Sequence, residues 1–103
     1  MYKDLQIATA NPGWRALFVV RGDDGEVKLE TSEIAVWVLQ ENEESGYRSV
    51  VGYDPADYLD NVQEYPNFVR YLSPTDSPEE FVESAARVLE MCEQRDRERS
   101  RAR

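Results

Sequence analysis

Asp54, Asp57 and Asp60, followed by Glu64, are the residues whose type and spacing come nearest to chemistry. If Asp54-Pro55 starts a short helix, Asp54 caps it and residues 57, 60 and 64 share one face. Converging carboxylates of this kind suit a hard divalent cation or an acid–base pair. A Ca²⁺ loop gathers its oxygens through an Asp-x-Asp-x-Asp-Gly run, which is missing here. The plainer reading is an N-cap with a solvated polar face, and Asp23-Asp24 reads as a turn pair. Neither a metal nor another cofactor is expected.

Nucleophilic catalysis lacks its base. The chain has no histidine, so Ser-His-Asp and Cys-His arrangements are excluded. Lys3 and Lys28, the only lysines, lie in hydrophilic sequence unlike that of a desolvated Schiff-base residue. Cys92 is the single cysteine, which rules out an internal disulfide and a Cys-based zinc site within one chain. It falls on an apolar helical stripe, where a thiol behaves as a small inert hydrophobe. Gly22-Asp-Asp-Gly25 lacks the lysine and the helix start that a phosphate loop needs. The chain is not expected to be an enzyme.

The aromatic distribution points to binding instead. Tyr47, Tyr53, Tyr58, Tyr65 and Tyr71 lie within 25 residues that also hold the four acids. Tyrosine offers large contact area at low rotamer cost and is enriched at interfaces. Charge bounds the partner. Residues 1–94 carry 19 Asp/Glu against 7 Lys/Arg, a net of −12, whereas residues 95–103 carry 5 Lys/Arg against 2 acids. An acidic body repels nucleic-acid backbone and membrane surfaces and attracts basic partners. The Arg-rich end therefore reads as a fraying helical end, with Glu93 and Arg97 as an i,i+4 pair, and direct nucleic-acid binding is disfavoured.

These residues need elements to position them. A chain of 103 residues is one domain. Segments 14–21 and 34–39 have apolar residues on both faces, as central strands or helix-covered strands do. Weaker strands are expected at 5–9 and 47–53, the first joined to 14–21 through Asn11-Pro12-Gly13. Asp24-Gly25 predicts a type I′ hairpin, continued by Val27 and Leu29. Ser77-Pro-Glu-Glu80 predicts a capping box for a helix over 77–95. Its stripe is Phe81, Ala85, Val88 and Cys92, widened by Val82 and Leu89. Segment 67–72 reads equally as a fifth strand or a helical turn.

The expected fold is α+β: an antiparallel meander of four or five strands with the C-terminal amphipathic helix packed on one face. Residues 1–94 form the acidic domain and 95–103 a helical or disordered tail. The expected function is a non-enzymatic protein-binding module or inhibitor that meets a basic protein surface. Its contact residues are Tyr47, Tyr53, Asp54, Asp57, Tyr58, Asp60, Glu64 and Tyr65. A sharper version is an immunity-type or phage-type inhibitor that mimics nucleic acid. The alternatives are a homo-oligomer joined through a sheet edge or helix stripe, and a small-ligand or divalent-cation binder using the 54–64 acids. No signal-length or membrane-length apolar run occurs, so a soluble cytoplasmic monomer or homodimer is expected.

Overall fold

The computed structural model describes residues 2–54 and 60–101, with Asp60 described in its backbone alone. The fold is α+β. Its strands are β1 (Tyr2–Thr9), β2 (Arg15–Arg21), β3 (Val27–Glu33), β4 (Val36–Asn42), β5 (Arg48–Asp54), β6 (Asp60–Asn61) and β7 (Phe68–Leu72). A helix, α1 (Val82–Arg101), closes the chain. All strand pairs are antiparallel, and they form two sheets where a single meander was expected. One sheet has the order β1-β4-β5-β6 and the other β3-β2-β7.

Strand β2 explains the layering. Ala16 and Leu17 are fully buried and Val19 nearly so, although their side chains alternate between faces. Val19 packs with Ala85 and Leu89 of α1 and with Val27, Leu29 and Val69. The opposite face places Ala16 and Phe18 in a second cluster with Ile34, Val62, Trp14, Trp37, Phe68 and Tyr71. The three-stranded sheet is thus covered on one face by helix and on the other by a mainly aromatic core. Segment 67–72 is a strand because Phe68 and Val69 serve these two opposite clusters at period 2.

The aromatic core knits the sheets together. Trp37 of β4 meets Trp14 edge-on at 5.6 Å and Tyr71 of β7 at 4.9 Å. Tyr71 in turn meets Phe68, which meets Phe18, which meets Tyr65. Edge-to-face contacts at such spacings add to the area they bury. Gly52 admits Tyr71 to this core, since a Cβ there would stand 2.9 Å from the Tyr71 ring and 2.9 Å from Ile34 Cδ1.

Several local expectations need correction. The hairpin at 22–25 forms, but among the described residues only glycines have positive φ, so Asp24 does not adopt the left-handed state that type I′ requires. Gly25 alone is left-handed, at φ +83, and the Gly22 N–H donates to the Glu26 carbonyl at 2.8 Å. Asn11-Pro12-Gly13 does not join paired strands: β1 pairs with β4, and β2 with β3 and β7. Asp54 ends β5, and the short helix expected to follow it falls on residues outside the described ones. Asp57 and Tyr58, expected as contact residues, lie outside the described residues. The capping box is replaced by a 3-10 turn at Pro78–Phe81, in which the Ser77 hydroxyl donates to the Glu79 carboxylate and caps no backbone N–H. The helical stripe is narrower than expected. Val82 is exposed and Phe81 half-buried, with the Arg70 guanidinium 3.9 Å over its ring.

Candidate functional site

Among the described residues, the acid- and tyrosine-rich segment does not form one continuous patch. Tyr47 is exposed at the turn end of the β4–β5 hairpin, six residues from Tyr53 along β5. At about 3.4 Å per residue the two stand roughly 20 Å apart along the strand. Tyr53 is half-buried, and its hydroxyl accepts from Gln40 Nε2 at 3.2 Å. Burial raises its pKa, and the nearby Asp4 and Glu64 carboxylates raise it further. Glu64 is exposed at the end of a short 3-10 turn, Val62–Glu64, capped by the Asn61 side chain. Asp57 and Tyr58 lie outside the described residues, as does the side chain of Asp60. Tyr71 is structural, its hydroxyl accepting from the Gly52 N–H and from Gln63 Nε2, each at 2.7 Å.

Asp54 and Tyr65 are brought together. They line an open cleft of about 260 Å³ with Phe18, Glu30, Thr31, Ser32 and Asn67. Asp54 is the one buried charged residue among those described, at 8% exposure, and its Oδ2 accepts from the Ser32 hydroxyl at 3.2 Å. That bond joins β3 of one sheet to β5 of the other. Glu30 stands directly opposite Phe18 in the β2–β3 register, so the two share a face. Tyr65 meets Phe18 at 5.8 Å and 88°, which leaves a two-ring corner beside the carboxylates. Asn67 is held in place twice, its carbonyl accepting from the Val19 N–H and its Nδ2 donating to the Val19 carbonyl, both at 3.1 Å. Among the described residues, no Lys or Arg lines the cleft.

Glu30, Phe18, Ser32 and Asn67 do not stand out in the sequence. A signal for two of the pairings exists there. A hairpin closed by Gly22 opposite Glu26 fixes residue 18 against residue 30 and residue 16 against residue 32. Asn67 depends on a long-range pairing and leaves no such trace.

The remaining charged residues serve the surface. Glu41 pairs with Arg48 at 3.1 Å and with Lys3 at 3.3 Å, and these bonds hold its carboxyl below the usual carboxylate range. Arg21 forms a two-pronged pair with Glu93, at 2.9 and 2.7 Å, so Glu93 is bonded to β2 and not to Arg97, the partner expected from the sequence. Cys92 is half-buried, and its thiol donates to the Pro66 carbonyl at 3.2 Å. Among the described residues, no three His, Cys, Asp or Glu side chains converge as metal ligands. No described helix is long and apolar enough to cross a membrane. No protein-family model, curated protein or solved structure matches the chain.

Proposed function

We propose that this protein is a small acidic binding module or inhibitor that works by docking a basic surface of a partner protein. The observation that carries the reading is the cleft, where a buried and an exposed carboxylate meet two aromatic rings with no cation among the described lining residues. A net charge of −12 over residues 1–94 would steer a basic partner towards the molecule, and tyrosine would supply contact area once it arrives. Tyr65 is exposed at the cleft, whereas Glu64, its neighbour in the chain, lines a separate hollow with Tyr2, Gln40 and Gln63. Mimicry of nucleic acid, in an immunity-type or phage-type inhibitor, is the sharper form of the same reading.

The test is capture of partners from the native host at low salt, followed by association kinetics with the partner identified. Replacing Asp57, Asp60 and Glu64 by Asn, Asn and Gln removes three charges and moves residues 1–94 from −12 to −9. The association rate should fall, and wild-type binding should weaken as the Debye length shrinks from about 30 Å at 0.01 M to about 8 Å at 0.15 M ionic strength. A rate that ignores both salt and the triple substitution refutes the 57–64 acids as docking contacts.

One observation favours a second reading, self-association. Strand β1 is exposed at all eight residues, including Tyr2, Leu5 and Ile7, and pairs on one side only. Such an edge presents unpaired backbone groups to another strand. Light scattering at micromolar concentration separates the two readings, because a monomer removes the second.

A further inference from the structure

We infer that the Glu30–Tyr65 cleft is a receptor for one arginine side chain of the partner. The inference rests on the protein-binding reading above and names the group that the site recognises. Four features support it.

The first is size. At about 260 Å³ the cleft falls just below the range of pockets that enclose drug-sized ligands, roughly 300–1,000 Å³, and suits one long side chain entering from an open mouth. The second is charge. Glu30 makes no side-chain hydrogen bond or ion pair with any described residue, yet its strand register holds it against Phe18 on the cleft wall. Lys28, the neighbouring residue on that face of β3, is turned away, since its Cδ and Cε lie against Gly22. Asp54 adds a second carboxylate deeper in the cleft, fixed by Ser32.

The third is the aromatic corner. Phe18 and Tyr65 stand at 88° to each other, so a flat cation stacked on one ring meets the edge of the other. Guanidinium fits this combination better than ammonium, because it is planar, weakly hydrated and matches a carboxylate with two parallel N–H donors. The fourth is rigidity. Phe18 sits in the central strand of its sheet, Asn67 is bonded twice to Val19, and Asp54 is bonded across the sheets. A preformed receptor loses little entropy on binding.

The experiment uses the whole protein and a small probe, acetyl-arginine-methylamide, followed by NMR at low ionic strength. The neutral isostere acetyl-citrulline-methylamide serves as control. The arginine probe should shift the resonances of Phe18, Thr31, Ser32 and Tyr65 in a saturable manner, with millimolar affinity, while citrulline leaves them in place. Glu30→Gln should weaken the probe about fivefold or more, as should Tyr65→Ala, whereas Tyr65→Phe, which keeps the ring, should bind like wild type. Amide spectra of each variant confirm that the fold is intact. The assignment is overturned if the arginine probe shifts nothing at these residues, if citrulline acts equally, or if E30Q binds the probe as wild type does. It is also overturned, with the protein-binding reading left standing, if a captured basic partner binds E30Q and wild type with equal affinity. A saturable arginine response in a protein that captures no basic partner refutes the protein-binding reading while the receptor stands.

Discussion

Removing one oxygen atom tests how the two sheets are held together. The Tyr71 hydroxyl accepts from the Gly52 N–H and from Gln63 Nε2, each at 2.7 Å. Tyr71→Phe keeps the ring and its contacts with Trp37 and Phe68 but deletes both bonds. Gln63 is exposed, so its amide turns to water at little cost. Gly52 is buried, and its N–H would lose its partner inside the protein. Stranding a buried donor costs about 1–3 kcal/mol, a large share of the roughly 5–15 kcal/mol that holds a domain of this size folded. At about 4–8 °C per kcal/mol, calorimetry should show a fall of at least 4 °C. The variant also predicts a change in pH dependence. Burial raises the Tyr71 pKa above its ordinary value near 10. The unfolded chain therefore loses that proton first as pH rises, and the stability from the neutral hydroxyl is complete below about pH 10 and drains away above it. Tyr71→Phe should flatten this alkaline decline without abolishing it, because burial also raises the Tyr53 pKa. A Tm within about 1–2 °C of wild type, with the Gly52 amide still protected from exchange, would refute the reasoning.

The narrowed stripe of α1 gives an ordered pair of substitutions. Leu89→Ala empties a site 7% exposed and packed with Val19 and Ala85, at about 2–5 kcal/mol, and Phe81→Ala should cost less because Phe81 is half-buried under Arg70. Urea midpoints that reverse this order would show that the first turn, not the middle of the helix, anchors α1 to the sheet. Truncation after Gln94 should leave the midpoint within error, because residues 95–101 are all exposed and the Arg21–Glu93 pair is kept. It should also preserve or strengthen binding to a basic partner, and lost binding would move the function to the arginine segment.

What is legible in the sequence is whatever depends on a buried face. Strands 14–21 and 34–39 reveal themselves because apolar residues pointing both ways must be covered on both sides, and β2 indeed has one face on α1 and one on the aromatic core. Strand β1 buries neither face, so its pattern says nothing about a neighbour, and chain order suggests β2. The actual neighbour is β4, with Thr9 opposite Val36. Beyond it, the Ala10 N–H donates to the Ala35 carbonyl and the Ile34 N–H to the Trp14 carbonyl. The chain thus passes from one sheet to the other on both sides of Ile34 and Ala35. Nothing local in Asn11-Pro12-Gly13 distinguishes that crossing from a tight hairpin.

The same crossing explains why the candidate site is only half visible in the sequence. β3 ends at Glu33 in the three-stranded sheet, and β4 begins at Val36 in the other. Ala35 is tied across to Tyr53 through its N–H at 2.8 Å, which brings the end of β5 beside the end of β3. Asp54, the next residue, then reaches Ser32 from the opposite sheet. The tyrosines and acids of 47–65 are conspicuous by composition, and one wall of the cleft comes from them. The other wall comes from Phe18, Glu30 and Ser32, ordinary strand residues whose importance arises only where the sheets part. Binding at this junction would contact both sheets at once. An occupant should therefore protect the amides of Ser32 and Asp54 together, a coupling that a ligand lying on either sheet alone would not produce.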